Sequence, residues 1–312
     1  MVPVSNGPAA VSVIIPTLAR PERVPSLMRA IDSITSQAGG RSLPIVVING
    51  PFAAPAARES LAHRQDLRLI TLADASLPLA LHAGRAAVET AYFSVLDDDD
   101  ELLPEAVAIR LGAFEADPRA DVVVTNGYLD GFGRREINIA DFREIEREPL
   151  RTLLRRNWLS PCAGTFCTRA VPLELFERIP AYREWTYLGL RLALDRTIRF
   201  LNRPTFVYRT DTDGSLSKSE AYILGGPRAI AEMLRLDLPS DVRAMVRDRL
   251  RAGLHSASDR ERVAGNYVAA WGWHLRCLAQ AGGWRYLSYT RHLLSGSARR
   301  VAAALRLLGD LS

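Results

Sequence analysis

Five consecutive acidic side chains, Asp97 to Glu101, follow directly on the apolar run Tyr92–Leu96 and precede Pro104. The run in front is rich in aromatic and β-branched residues and too short for most helices, so it reads as a buried strand. Pro104 suits the first turn of a helix, and Ala106, Ile109, Leu111 and Phe114 supply an apolar face behind it. The acids therefore fall on a strand-to-helix turn. In an extended segment residues i and i+2 face the same way, which points Asp97 and Asp99 together and Asp98 elsewhere. Converging carboxylates repel unless a cation lies between them, and their oxygens suit the hard ions Mg²⁺ and Mn²⁺. Asp100 and Glu101 are expected to serve the start of the following helix.

The rest of the chain alternates in the same manner. Strand-like runs at Val11–Ile15, Pro44–Ile48, Leu67–Leu72, Tyr92–Leu96 and Asp121–Thr125 are separated by helical spacing from Val24 to Ile34, from Leu79 to Thr90 and onward from Pro104 to Glu115. Such alternation predicts an α/β fold with a mainly parallel central sheet, whose ligands bind beyond the carboxyl ends of the strands. Three polar turns stand there: Pro16 to Arg20, Asn49-Gly50 and Asp97 to Asp100. Gly127 to Pro149 reads as a hairpin or loop, and Asn157 to Cys167 as an irregular loop. A helix over Glu184–Leu194 and a strand over Arg199–Tyr208 follow. From about Ala221 the pattern is helical almost throughout, which predicts a first domain over 1–217 and a helical C-terminal region over 218–312.

Composition narrows the function. The net charge is +5, Lys218 is the only lysine, and arginines are frequent from Arg243 onward. The charge gathers into no nucleic-acid-like block in the first two hundred residues, whereas the basic C-terminal region can meet anionic lipid. Cys162, Cys167 and Cys277 have no metal-ligand spacing, and an odd count argues against a disulfide framework. No signal peptide or membrane-length apolar run is evident. A cytoplasmic location, at most peripheral on the inner face of the membrane, is expected.

Val11-Ser-Val-Ile-Ile-Pro-Thr17, the strand before Asp97–Asp100, and Tyr208-Arg-Thr-Asp211 with Ser215 and Ser217 after it occur in one order. Together they resemble family-two glycosyltransferases with the GT-A fold, over about two thirds of the chain. The resemblance implies inverting transfer of a sugar from a nucleotide-sugar, a UDP- or dTDP-sugar, to an acceptor hydroxyl, with Mn²⁺ or Mg²⁺ bridging the diphosphate. It implies Asp99 as metal ligand, Asp97 and Asp98 toward ribose or the metal's water shell, and Pro16, Thr17 and Arg20 against the nucleotide. Tyr208–Asp211 matches a segment that usually ends in a histidine ligand, so Asp211 takes that metal-binding role here, with Asp213 as a competitor.

Departures from the family pattern matter as much. An aspartate pair usual at the second strand is replaced by Ile48-Asn49, whose amide can still pair with a pyrimidine imide, so that uracil and thymine both fit. Leu81-His82-Ala83-Gly84 stands where Ala-Arg-Asn and a glycine are common. The catalytic base belongs before a Leu-Arg-Leu-Ala helix, present as Leu190–Ala193, and the acid there is Glu184 in a displaced Glu184-Trp185 pair, with Asp195 in reserve. Trp158, Trp185 and Tyr187 suit either a sugar ring or a core. The implied acceptor is a carbohydrate, a lipid-linked glycan or a small molecule in polysaccharide or glycoconjugate synthesis. Trp271, Trp273, Trp284, Tyr286 and Tyr289, with the amphipathic stretch from Arg291 to Leu308, fit a membrane surface or a homo-oligomer contact. Two other readings remain: a sugar nucleotidyltransferase-like enzyme, and a degenerate transferase that only binds nucleotide-sugar.

Overall fold

The computed structural model describes residues 9–38, 41–212 and 219–296. The chain divides into two compact units, residues 1–213 and 214–312. In the first, β1 (Val11–Thr17), α1 (Val24–Thr35), β2 (Ser42–Asn49), α2 (Pro55–Ala62), β3 (Arg68–Leu72), α3 (Leu77–Ala86) and β4 (Tyr92–Val95) form a parallel array in the order β3-β2-β1-β4. Every residue of β1 is buried, as expected of a strand covered on both faces. α1 buries Leu27, Ala30, Ile31 and Ile34, the i, i+3, i+4, i+7 stripe of an amphipathic helix.

Beyond β4 come β5 (Glu101–Leu102), α4 (Ala106–Ala116), β6 (Val122–Gly131), β7 (Arg134–Ile137), α5 (Phe142–Arg147), α6 (Pro149–Arg155), β8 (Gly164–Cys167), α7 (Glu184–Asp195) and β9 (Ile198–Arg209). The sheet continues β4-β8-β6-β9-β5, with β7 paired to β6. β8 is antiparallel to both β4 and β6, β9 runs parallel to β6, and β5 is antiparallel to β9. The α/β architecture is as expected, but the sheet is more mixed than the mainly parallel one read from the sequence. The difference lies in β8, which falls in the segment read as an irregular loop. Gly-Thr-Phe-Cys shows no period of its own, and it is a strand because two neighbours pair with it.

Behind β8 a buried arginine ties the sheet together. Arg110 of α4, 2% exposed, donates through Nη2 to Cys162 O at 2.6 Å and to Thr205 Oγ1 at 2.8 Å. Thr205 in turn meets Thr125 Oγ1 at 2.6 Å, and Thr165 meets Ser94 Oγ at 2.8 Å. These hydroxyls span β4, β8, β6 and β9, and the belt satisfies a cation that burial would otherwise strongly penalise. Burial pulls the Arg110 pKa down to about 10, still far above neutrality.

The second unit is helical, as expected. α8 (Glu220–Met233), α9 (Ser240–Val263) and α10 (Tyr267–Leu278) are followed by a 3₁₀ run, Gly283–Tyr289. No helix among the described residues is long and apolar enough to cross a membrane. Residues 297–308 of the expected amphipathic stretch lie outside the described residues.

α3 approaches the sheet through Gly84, where an added Cβ would stand 2.3 Å from Ile14 Cγ2 and 3.3 Å from Val47 Cγ2. Gly84→Val is expected to lower the unfolding free energy by about 1–3 kcal/mol, as overpacking of a filled core does. Urea denaturation of variant and parent measures it.

Candidate active site

The acids are gathered by a tight turn. Asp100 N donates to Asp97 O at 3.1 Å, so the chain stops being extended at once after β4. Asp97 and Asp99 come together as expected, but through this turn rather than the expected extended alternation, and the turn brings Asp100 into the same group. One carboxylate oxygen from each lies within 4.8 Å of the others. Asp98 points away, and both its oxygens are engaged. Oδ2 accepts from Thr17 Oγ1 at 2.5 Å, and Oδ1 accepts from Arg23 through Nε at 3.1 Å and through Nη2.

The expectation that Asp100 and Glu101 serve the next helix is corrected here. α4 starts only at Ala106, and its N-cap residue is Glu105. Asp100 is 1% exposed, its Oδ1 accepts the Arg209 amide at 2.9 Å, and its Oδ2 has no partner. Glu101 sits in β5 opposite Val207 and pairs with Arg209 Nη2 at 2.9 Å. β9 therefore fixes the turn from across the sheet, a contact between residues far apart in sequence that no local pattern announces.

Electrostatically the site is short of positive charge. Burial, then the repulsion of Asp99 and Asp98, pushes the Asp97 carboxyl well above the ordinary range, and burial with Asp97 and Asp99 does the same to Asp100. Arg23, which the sequence reading passed over, is the nearest counter-charge, and its Nη1 also donates to Asp99 Oδ2 at 3.1 Å. Burial works against the Arg23 charge, but Asp98 and Asp99 outweigh it and raise its pKa. Tyr208, named from the sequence only as the start of the Tyr208–Asp211 segment, has its phenol kept protonated by burial and then by the charges of Asp97 and Asp100. The only sequence signal for Arg23 was its position, one helical turn past the Pro16–Arg20 loop.

A divalent cation fits this donor set. Three converging oxygen donors, one with a fully buried orphan oxygen, match hard-ion chemistry and leave a charge deficit that one dication removes. Among the described residues no other group of three or more such side chains comes together in this way. Asp211 lies outside the group, exposed, with Oδ2 accepting from Phe132 N at 3.1 Å. Asp213 and Ser215 to Lys218 lie outside the described residues.

The remaining expected residues divide. Pro16 and Thr17 end β1; Thr17 Oγ1 also accepts from Ala19 N at 2.8 Å, and Ala19 holds a left-handed φ of 46°. Asn49 is buried and spends one N–H on Thr17 O at 3.0 Å, which leaves its other N–H and its oxygen. Arg20 is exposed, with its guanidinium 4.9 Å from the centre of the Phe52 ring. Glu184 opens α7, 5% exposed, and Oε1 accepts from Tyr182 N at 2.9 Å. Tyr182 carries a φ of 73°, uncommon for a tyrosine, and this turn directs its amide back onto the acid. Burial raises the Glu184 pKa against those backbone bonds, and its charge is among those felt by Asp97. Asp195 closes the far end of α7. His82 is half-buried on α3.

Trp158 does not face a ligand: it is fully buried, its Nε1 donates to Pro149 O at 2.8 Å, and it packs on Phe200 at 5.1 Å. Trp185 is also core. The hollow lined by Glu89–Tyr92 and Cys167–Arg169 lies at the opposite end of β4 and contains none of the candidate residues.

A family model described as Glycosyl transferase family 2 matches residues 12–175. Structures of S. aureus TarS residues 1–349 share the fold. The complex with UDP-GlcNAc superposes with a TM-score of 0.57 at 16% identity, covering 83% of this chain and 75% of that one. The complex with UDP gives 0.52 at 17% identity, with 83% and 74% covered. No curated protein sequence matches.

Because Asp97 and Asp100 are raised, protons compete with any cation for these oxygens, and binding must release them. Mn²⁺ affinity measured by isothermal titration is therefore expected to rise from pH 5.5 to pH 7.5, with proton release that depends on the buffer. A pH-independent affinity would place the ion elsewhere.

Proposed function

The chain belongs to glycosyl transferase family 2, and on that premise we propose that it is an inverting, metal-dependent transferase moving a sugar from a UDP- or dTDP-sugar to an acceptor hydroxyl. The observation that carries this reading is the buried Asp100 carboxyl, its Oδ2 without a hydrogen bond, gathered with Asp97 and Asp99 at the carboxyl end of β4. Asp99 would hold Mn²⁺ or Mg²⁺ together with Asp97 and Asp100. Asp211, whose Oδ2 accepts from the Phe132 amide, stands outside this group. The ion, when bound, offsets charge gathering on the departing diphosphate.

The protein's own groups do the rest. Thr17 and Asn49, locked to each other and to Asp98, form the nucleotide side with Pro16, and Asn49 keeps a donor and an acceptor for a pyrimidine edge. Arg20 over Phe52 offers a flat cationic rim beside them. Arg23 holds Asp98 and reaches Asp99, so it keeps the acids in register before the donor arrives. On the acceptor side, Glu184 takes the hydroxyl proton as that oxygen attacks the anomeric carbon and the nucleoside diphosphate leaves from the opposite face. The Tyr182 amide holds the carboxylate in place through Oε1. Burial makes the protonated form accessible, as a base near working pH requires.

The TarS structure with UDP-GlcNAc supports the donor class, and membership of the family supports reading the acceptor as a polysaccharide or other glycoconjugate. Asp99→Ala is expected to abolish Mn²⁺-dependent UDP binding in isothermal titration. Intact binding in that variant would overturn the assignment. Glu184→Gln is expected to keep UDP binding while lowering kcat about 10²–10⁴-fold. In the parent, kcat/KM should fall as pH drops through a value above the ordinary glutamate range, because only the ionised carboxylate accepts the proton. Loss of donor binding in Glu184→Gln would instead place this residue on the nucleotide side.

A further inference from the structure

α10 carries an apolar face that the helical unit itself leaves uncovered. One side of the helix, Ala270, His274 and Cys277, packs on α9: Ser258 Oγ donates to Ala270 O at 2.8 Å, and the Cys277 thiol donates to Arg251 O at 3.4 Å. The opposite side presents Val268, Gly272 and Leu275 at i, i+4 and i+7, with Arg276 beside them. Val268 is 91% exposed and Leu275 58%. The 3₁₀ run after α10 adds Trp284 at 68% and Leu287 at 55%. A surface helix is ordinarily polar on the side away from its core, so apolar residues on both sides call for a second apolar neighbour.

Charge says what kind. From Arg262 to Gly309 the sequence holds no Asp or Glu. Arg276 lies over the Trp273 ring at 5.0 Å and Arg285 over Trp284 at 5.9 Å, and neither forms an ion pair among the described residues. Arg291 likewise has only a histidine neighbour, His292. The carboxylates of α9 on hand are already engaged: Asp248 by Arg251, Asp259 by Arg262 and Tyr289, Glu261 by Asn266. The exposed side chains of these two segments are thus aliphatic, tryptophan and arginine, with no carboxylate among them.

We propose that this face of α10 and the following 3₁₀ run is a docking surface for an anionic lipid bilayer. Aliphatic side chains enter the acyl boundary, Trp273 and Trp284 sit at headgroup level, and Arg276, Arg285 and Arg291 meet lipid phosphates. A second copy of the chain would set arginines against arginines across a two-fold axis. A nucleic acid backbone would leave Val268, Leu275 and Leu287 without an apolar partner. A bilayer satisfies both sets at once. The inference stands apart from the transfer reaction and does not depend on the donor.

The test is co-sedimentation of the full chain with vesicles of phosphatidylcholine alone and of an equal mixture of phosphatidylcholine and phosphatidylglycerol. Binding to the mixed vesicles only, weakening with added salt, is expected. Arg276→Gln/Arg285→Gln/Arg291→Gln should reduce partitioning on the order of 100-fold, at roughly fivefold per arginine. Leu275→Ser/Trp284→Ser should reduce it at any salt concentration. Unchanged circular dichroism and UDP binding in both variants show that they fold. Absence of binding to the mixed vesicles, equal binding to neutral ones, or variants that bind like the parent would each overturn the proposal. So would a concentration-dependent dimer, seen by sedimentation and abolished by Leu275→Ser/Trp284→Ser, in a chain that ignores vesicles.

Discussion

Three carboxylates packed within 4.8 Å of one another at the end of a buried strand are the constraint on which the catalytic unit depends. Left alone, Asp97, Asp99 and Asp100 repel in a setting that screens poorly. The fold holds them there by indirect means. Asp98 turns outward and is gripped by Thr17 and Arg23, which anchors the turn to the ends of β1 and α1. Asp100 is gripped by the Arg209 amide from β9. Arg23 reaches only Asp99 of the inner three, and Asp100 Oδ2 remains without a hydrogen bond. The arrangement is stable as a scaffold and incomplete as an electrostatic site, which is how a protein keeps a place for a cation and an anionic ligand.

The sheet change at β8 makes that arrangement possible. A purely parallel continuation after β4 would place another helix crossover beside the acidic turn. An antiparallel β8 instead brings β6 and β9 alongside, and β9 then meets β5 immediately after the turn. The Arg110 belt of buried hydroxyls secures this half of the sheet, where the strands are short or bulged and give less pairing of their own. On the other side, Tyr182 holds an uncommon backbone conformation that directs its amide onto Glu184. Strain of this sort is stored where surrounding structure over-determines it, and here it borders the group assigned to move a proton.

The two units differ in what they do with charge. The first encloses carboxylates with too few counter-ions, while the second separates its charges, pairing its acids on α9 and leaving arginines alone on α10 and after it.

The sequence by itself determined the parallel half of the sheet, because uninterrupted β-branched runs between amphipathic helices have few other ways to bury themselves. It determined the acidic turn at the end of β4, but Asp97 and Asp99 come together in a hydrogen-bonded turn rather than through the pleat of an extended strand. It also placed Glu184 at a helix start and made the described part of the last third helical. Tertiary structure alone decided the rest. β8 has no pattern of its own and exists because β4 and β6 pair with it. Asp100 reads as a helix-start residue until the turn bond to Asp97 and the amide of Arg209 draw it inward. Trp158, with the composition of a pocket residue, went to the core because Pro149 O satisfies its indole. Arg23 was invisible as a site residue, since its role rests on contacts from sequence-distant elements, and local periodicity carries no information about which distant groups will share a dry, charged space.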